Sequence, residues 1–151
     1  VNLDSIPLLL PSKKNIECLS NYISTHMAGF LADNSIPNPP ASISYDSRGQ
    51  IQLPDDYAYA AEFKQALEDN PVMDKVMRTT SGLTSIMVEI NKSIPFQREY
   101  AAANSQAQIN AVVAKYSYLF SPNRRSDSIA LNFTSEGTLS ITHDGKSLSE
   151  A

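Results

Sequence analysis

The sequence predicts an α+β fold in which about five helices pack on a small antiparallel sheet made of two β-hairpins, residues 43–53 and 131–141. The helices are indicated by long segments in which apolar residues recur at steps of three and four. The hairpins are indicated by two similar segments, ISYDSRGQIQL and LNFTSEGTLSI, which alternate apolar and polar residues around a glycine-containing turn. These two segments align without a gap, so that Gly49 corresponds to Gly137.

The first predicted helix begins after Ser12, whose side chain can cap the free N–H groups of the first turn. Its apolar residues lie on one face, and they are Ile16, Leu19, Ile23, Met27, Phe30 and Leu31. The helix is expected to end near Asp33 and Asn34, because the three prolines of the next segment cannot continue it. Residues 35–41 are therefore predicted to be a proline-rich linker within a single globular domain of residues 1–151.

Each predicted hairpin has a turn closed by a glycine, and a glycine with positive φ at this position produces a one-residue bulge that fixes the register. The predicted opposite pairs are Tyr45 with Ile51, Ile43 with Leu53, Phe133 with Leu139, and Leu131 with Ile141. Because an isolated hairpin is barely stable in water, we expect the two hairpins to pair edge to edge, with Tyr45 and Phe133 on the same buried face. The alternative is that the hairpins pack on different sides of the helices.

Two start signals predict the second and third helices. Pro54, Asp55 and Asp56 form the first signal, because helix N-termini favour negative charge. Asn70 followed by Pro71 forms the second signal, as a cap and a first helical residue. The third helix is predicted to be central, since a wide arc of its surface is apolar. The centre of the arc contains Val72, Val76, Leu83, Met87, Ile90 and Ile94, and Met73, Met77 and Val88 extend one flank.

Proline and capping signals predict two further helices. Pro95 is expected to end the third helix and to open a fourth, which carries Phe96 and Tyr100. Ser105, with Gln108 three residues later, forms a capping box for the fifth helix. The inner face of the fifth helix is predicted to contain Ile109, Val112, Val113, Tyr116 and Phe120.

The amino-acid composition limits the classes of protein to which this chain can belong. A chain of 151 residues has the usual length of one domain, and 42% hydrophobic with 19% charged residues is typical of a folded globule. Sixteen acidic and twelve basic residues give a net charge of −4, which does not favour a nucleic acid as partner. No segment approaches the ~20 apolar residues of a membrane span. The expected location is the cytoplasm, or outside the cell after export by a leaderless route.

The sequence does not indicate a catalytic, cofactor or metal site. His26 and His143 are far apart, whereas histidine and cysteine ligands of a metal usually recur within a few residues. Cys18 is the only cysteine, and its helical position is away from the apolar face. Lys14, one turn earlier, is a weak activator, so we interpret Cys18 as an unreactive surface thiol.

Candidate interaction residues are of two kinds. Tyr22, Tyr57 and Tyr118 fall off the apolar faces of their predicted helices, and tyrosine is favoured at protein interfaces. Glu68 and Asp69 lie in the last turn of the second helix, where the helix dipole disfavours acidic residues. These five residues are the predicted contact sites for another protein.

Three classes of function remain after these exclusions. The leading hypothesis is a non-catalytic protein-interaction or accessory domain. The second is an enzyme or secreted effector whose site combines distant residues such as His26, Glu68, Asp69, Arg124 and Arg125. The third is an acidic inhibitor or immunity-like protein that covers a basic partner with the acidic residues of the second helix. A deep pocket that joins His26 or the arginine pair to a carboxylate would favour the enzyme.

Overall fold

The computed structural model describes residues 12–122 and 124–148, and in it four α-helices pack on a five-stranded antiparallel sheet. The helices are α1 (Lys13–Asp33), α2 (Ala60–Asp69), α3 (Pro71–Ala102) and α4 (Gln106–Lys115), and a 3₁₀-helix (Ser117–Phe120) follows α4. The strands are β1 (Ser42–Tyr45), β2 (Ile51–Gln52), β3 (Ile129–Phe133), β4 (Leu139–His143) and β5 (Lys146–Ser147). Their order across the sheet is β2-β1-β3-β4-β5. The predicted α+β class is confirmed.

The two predicted hairpins belong to the same sheet because β1 pairs with β3. Across this junction Ile43 lies opposite Leu131, and both side chains are completely buried. Residues two positions apart on a strand point to the same side. Tyr45 and Phe133 therefore lie on one face of the sheet, as predicted, and this face packs on the helices.

The predicted register is confirmed within both hairpins. The observed pairs include Tyr45 with Ile51, Phe133 with Leu139, and Leu131 with Ile141, whereas the predicted pair of Ile43 with Leu53 falls beyond the last residue of β2. Gly49 and Gly137 have φ angles of 78° and 89°, in the left-handed region that the bulge requires. The Gly49 N–H donates to Asp46 O at 2.9 Å, and the Gly137 N–H donates to Thr134 O at the same distance.

Helix α1 follows its predicted pattern. Ser12 caps it, since the Ser12 hydroxyl accepts a hydrogen bond from the Asn15 N–H at 3.1 Å. Its buried residues are the predicted ones: Ile16, Leu19, Ile23, Met27, Phe30 and Leu31. Helix α1 also contacts the sheet directly, because the Leu139 N–H donates to the Ser24 hydroxyl at 3.1 Å.

Helix α2 begins later than predicted, at Ala60. Asp55 and Asp56 lie instead in a turn, which is closed by a hydrogen bond from the Tyr57 N–H to Pro54 O. The Tyr57 hydroxyl donates to Asn38 O at 2.7 Å, and its ring packs on Phe63. These tertiary contacts hold Tyr57 outside the helix, and they outweigh the local preference for an acidic first turn.

Helix α3 continues through Pro95 to Ala102, so the prediction that Pro95 separates two helices is wrong. A proline inside a helix cannot donate to the carbonyl four residues earlier, which here belongs to Asn91. Asn91 and Pro95 both lie on the exposed side of α3. Phe96 also packs on Tyr116 and Phe120, and these contacts hold the turn that follows the proline.

The buried face of α3 is displaced from the centre of the predicted arc. Its buried residues are Met73, Val76, Met77, Thr80, Thr84 and Val88. Ile90, which was predicted to lie at the centre, is 46% exposed, and Leu83 is half-buried. The predicted arc did not include Thr80 and Thr84, which are completely buried. The Thr80 and Thr84 hydroxyls each donate to a carbonyl one turn earlier at 2.7 Å, which satisfies them inside the core.

Helix α4 contributes no buried residue, which corrects the predicted inner face of the last helix. The capping of α4 by Ser105 is as predicted, because its hydroxyl accepts from the Gln108 N–H at 3.2 Å. Val113 and Phe120 are 41% and 59% exposed, and Tyr116 is buried. The reason is that α4 packs on the second half of α3 and on the 3₁₀-helix, away from the core cluster, which reaches α3 only as far as Val88.

In the part of the chain that the structure describes, no helix combines the length and apolar character needed to cross a bilayer.

Candidate functional site

A polar groove of about 800 Å³ lies between α3 and the ends of β1 and β3. Its floor is provided by the side of α3 that carries Arg78, Gly82 and Ser85. The opposite wall contains Tyr45, Asp46, Ser47, Gly49 and the segment from Arg125 to Ile129. The groove therefore offers several serine hydroxyls and charges of both signs to a bound molecule.

Asp127, which lines this groove, also belongs to a charge cluster with His143 and Lys92. Asp127 Oδ2 lies 2.8 Å from His143 Nδ1, and the other carboxylate oxygen accepts a hydrogen bond from Lys92 Nζ. The side chains of Asp127 and His143 are only 7% and 10% exposed. Burial raises the pKa of Asp127, but the hydrogen bonds from Lys92 and His143 outweigh that effect, so the net pKa lies below its usual value. The carboxylate is thus held in its ionised form.

The Asp127–His143 pair has the geometry with which a carboxylate orients a catalytic imidazole. His143 Nε2, the atom that would act as a base, is buried and has no hydrogen-bond partner among the described residues. A nucleophilic hydroxyl is therefore not paired with it in this arrangement. What the geometry does establish is a bridge that joins Lys92 of α3 to β4 through Asp127.

Two arginines, Arg124 and Arg78, make further polar contacts, and only Arg78 lines the groove. Arg124 Nη1 lies 2.7 Å from Glu89 Oε2, while Arg124 Nη2 and Glu89 Oε1 are buried without a hydrogen-bond partner among the described residues. The guanidinium of Arg78 lies 4.8 Å above the centre of the Tyr45 ring, and it also donates to Gly49 O. Burial raises the pKa of Tyr45, against a lowering effect of Arg78.

A second, apolar surface lies on the second half of α3 and on the residues that follow it. We call the row Leu83, Ile86, Met87, Ile90 and Ile94 the α3 stripe. These residues follow helical spacing, and Ile86 and Ile90 are 49% and 46% exposed. Leu83 and Met87 pack partly on the core, so the stripe emerges from the core and runs out onto the surface.

The end of α3 carries an aromatic cluster, defined by Phe96, Tyr100, Tyr116, Tyr118 and Phe120. The ring of Phe96 is its centre, at 5.2 Å from Phe120 and 5.7 Å from both Tyr100 and Tyr116. Glu99 joins α3 to the end of α4, because it accepts hydrogen bonds from the Tyr116 hydroxyl and from Lys115 Nζ. These two hydrogen bonds lower the pKa of Glu99. Tyr100, Tyr118 and Phe120 nevertheless remain 47% to 59% exposed.

The three tyrosines predicted to contact a partner have different neighbours. Tyr22 stacks on His26, with ring centres 4.0 Å apart. Tyr57 is half-buried by its contacts with Asn38 and Phe63, and burial raises its pKa to about 12. Tyr118 belongs to the aromatic cluster and is 59% exposed. The Tyr118 ring lies 6.4 Å from the ring of the buried Tyr116. The structure therefore does not gather the three tyrosines into one patch.

The predicted acidic residues Glu68 and Asp69 are exposed at the end of α2. Glu68 lines a small polar depression together with Lys64 and Arg78. Asp69 accepts a hydrogen bond from Gln65 at 3.3 Å. Their surroundings are separate from the aromatic cluster, and their proposed role in contacting a partner stays a prediction.

The other candidate residues occupy separate places. Cys18 is exposed, as predicted, and His26 Nδ1 lies 2.8 Å from Tyr22 O. The groove contains Arg125 and Asp127 but neither Arg124 nor His26, so it does not bring together the residues that the enzyme hypothesis named. Within residues 12–122 and 124–148, no three metal-binding side chains converge.

The charge cluster was not predicted, although the hairpin register contained a signal for it. The predicted pairing of Leu131 with Ile141 extends to Ile129 opposite His143, and Asp127 lies two residues before Ile129. A carboxylate at that position is therefore close to His143. Lys92 could not be predicted in this way, since its approach depends on how α3 packs on the sheet.

A search of protein-family models found no match to this chain, and neither did comparisons with curated proteins and with solved structures.

Proposed function

We propose that this protein is a non-catalytic interaction domain, and that its contact surface consists of the α3 stripe and the aromatic cluster. One observation carries the proposal: among the residues that the structure describes, the six exposed large apolar side chains all fall between residues 86 and 120. They are Ile86, Ile90, Tyr100, Val113, Tyr118 and Phe120. Single exposed apolar residues are common on proteins, but a concentration on one region is typical of an interaction site.

The residue types in this region support the same function. Tyrosine and phenylalanine are enriched at protein interfaces, because they bury a large area and lose little side-chain entropy. The aromatic cluster presents Tyr100, Tyr118 and Phe120 together. The contacts of Glu99 with Tyr116 and Lys115 fix α4 to α3, so this surface is organised before a partner binds.

Site-specific photo-crosslinking in the source cell tests the proposal. A photoreactive phenylalanine analogue replaces Ile90 or Phe120 in the full chain, and the same analogue at Gln65 provides an exposed control on α2. We expect a discrete crosslinked product from the first two positions and none from Gln65. Equal products from all three positions, or no product from Ile90 and Phe120, would contradict the proposed function.

A ligand-binding or enzymatic role for the polar groove is a second candidate, because Arg78 of α3 lines it together with Arg125 and Asp127 of the segment before β3. Gly82 offers a way to block it, since a Cβ at this position meets no atom within 4 Å. A small molecule that uses the groove should raise the melting temperature of the native protein but not that of Gly82→Leu. Equal stabilisation of both proteins by the compounds that bind would exclude the groove as their site.

A further inference from the structure

The polar groove presents unused hydroxyl groups on both of its sides. Its volume of about 800 Å³ is within the range of small-molecule binding sites. Five serines line it, and none of their hydroxyls has a hydrogen-bond partner in the part of the chain that the structure describes. Ser81 and Ser85 belong to α3, whereas Ser47, Ser126 and Ser128 belong to the opposite wall.

The two carboxylates that line the groove are already satisfied by other parts of the protein. Asp46 Oδ1 accepts hydrogen bonds from two backbone N–H groups of its own turn, at 2.9 and 2.8 Å, and Oδ2 accepts from the Gln52 side chain at 3.3 Å. Both oxygens of Asp127 are occupied, one by Lys92 and the other by His143. The charged groups that remain for a ligand are therefore the two arginines of the groove.

Arg78 is held in a fixed position on the α3 side. Its Nε lies 3.0 and 3.1 Å from the two carboxylate oxygens of Asp74, and Nη1 donates to Gly49 O. The guanidinium also lies 4.8 Å above the centre of the Tyr45 ring. Nη2 forms no hydrogen bond to any described residue. A donor that is immobilised before binding loses little entropy when a ligand arrives.

Arg125 provides a second guanidinium on the opposite wall. It is exposed, and it forms neither an ion pair nor a hydrogen bond with the residues that the structure describes. A guanidinium with unused N–H groups can bind two oxygens of a phosphate or carboxylate side by side. The groove thus combines unused guanidinium donors with hydroxyls that can both donate and accept.

We propose that the polar groove binds a small hydroxylated molecule that carries a phosphate or carboxylate group, such as a sugar phosphate or a sugar acid. Arg125 and Arg78 bind the anionic group, and the serine hydroxyls pair with the hydroxyls of the ligand. Among the lining residues, Tyr45 and Ile129 are the large apolar ones, so a mainly hydrocarbon ligand finds few partners. This inference rests on the second candidate function and specifies its ligand, and it does not depend on the α3 stripe.

Titration calorimetry of the full chain tests this inference with four probes at constant ionic strength. Glucose 6-phosphate and glucuronate carry both hydroxyls and an anionic group, and they distinguish a phosphate from a carboxylate. Glucose lacks the charge, and inorganic phosphate lacks the hydroxylated part. We expect at least one of the first two probes to bind at least about 10-fold more tightly than glucose and than inorganic phosphate.

Two pairs of variants locate the binding site of the tighter probe. Arg125→Gln should weaken its binding at least about 10-fold, whereas Arg98→Gln, an exposed arginine outside the groove, should not. Gly82→Leu places a side chain in the groove and should abolish binding. Gly29→Leu on α1 is the matched control, because a Cβ there also meets no atom within 4 Å, and it should bind as the native chain does.

Several outcomes would overturn this inference. Failure of both anionic probes to bind, or equal affinity for glucose or for inorganic phosphate, would exclude the proposed ligand class. Unchanged binding by Arg125→Gln and Gly82→Leu would place the ligand elsewhere on the protein. If a compound of another class stabilises the native chain but not Gly82→Leu, this inference fails and the groove still stands as a binding site.

Discussion

Ile43 of β1 lies directly opposite Leu131 of β3, and neither side chain has any exposed surface. This contact joins the first hairpin to the second, although a large part of the chain separates them. It also packs both hairpins on the helices, since the two residues belong to the same core cluster as Ile23 and Phe63. The stability of the sheet and that of the helical core are therefore coupled at this pair.

We expect Ile43→Ala and Leu131→Ala each to lower the free energy of unfolding by about 2–5 kcal/mol, as large-to-small changes in a core do. Because the two side chains are cross-strand neighbours, their substitutions should not be additive. The loss of unfolding free energy in the double variant should differ from the sum of the two single losses by about 0.5–3 kcal/mol. Urea unfolding curves measure all three variants. Val113→Ala, which is 41% exposed, is the control and should change little. Strict additivity of the two core substitutions would show that the hairpins do not pack through this pair.

Two glycines should respond to alanine in opposite ways. Gly137 has a φ of 89°, and a Cβ there would lie 3.2 Å from Met27 Cγ, so Gly137→Ala should destabilise the protein by more than about 1 kcal/mol. Gly82 lies inside α3, with no atom within 4 Å of an added Cβ. Gly82→Ala should stabilise the protein by up to about 1 kcal/mol, because alanine favours the helix. Thermal unfolding measures the melting temperatures of both variants. A change of melting temperature in the same direction for both would contradict the opposite roles expected of the two glycines.

The hairpins could be predicted from sequence because local chemistry specifies them. Gly49 and Gly137 determine the turns, and the alternation around them determines which side chains face the helices. Helix α1 is predictable for a similar reason, since one continuous apolar face meets the core along its whole length. In these elements the local preference and the tertiary environment agree.

Helix α3 shows where sequence reasoning fails. Local rules expect Pro95 to break the helix, yet α3 continues through it. The apolar pattern also leaves out Thr80 and Thr84, whose hydroxyls are satisfied by the helix backbone inside the core. The charge cluster is similar, because Asp127 and Lys92 meet only after α3 has packed on the sheet. Such contacts depend on the arrangement of whole elements, and no local pattern in the chain encodes them.

Cys18 provides a direct test of the orientation of α1. Its position on the helix places the thiol in solvent, and the structure leaves it exposed. Native-state labelling with a maleimide should therefore be as fast as labelling of the urea-unfolded chain, and Cys18→Ser should not change stability. Labelling that requires denaturant would mean that this face of α1 is covered.

The Asp127 cluster predicts a dependence of stability on pH. Because the pKa of Asp127 in the folded protein lies below its ordinary value of 3.8, ionised Asp127 stabilises the fold at pH above that value. This stabilisation is lost as the pH falls through the lowered pKa. Asp127→Asn should cost on the order of 1–3 kcal/mol at neutral pH, and the difference from the native protein should shrink in acid.

Urea titrations at a series of pH values measure this difference. Glu136→Gln, at an exposed turn, is the control and should show no comparable loss at neutral pH. A difference between native and Asp127→Asn proteins that stays constant from neutral pH into strong acid would show that the contacts with Lys92 and His143 do not favour the ionised form.

The last prediction concerns the α3 stripe. It tests whether the buried face of α3 is the one seen in the structure or the one that the sequence pattern predicts. Met77 is completely buried, so Met77→Ala should lower the free energy of unfolding by about 2–5 kcal/mol. Ile90 is 46% exposed, and Ile90→Ala should cost less than about 1 kcal/mol in the isolated chain. A large loss from Ile90→Ala would mean that the chain itself covers the stripe, and a surface already covered is not available to a partner. A small loss, together with weaker partner binding, is the combination expected of a residue that is retained for contact with another protein.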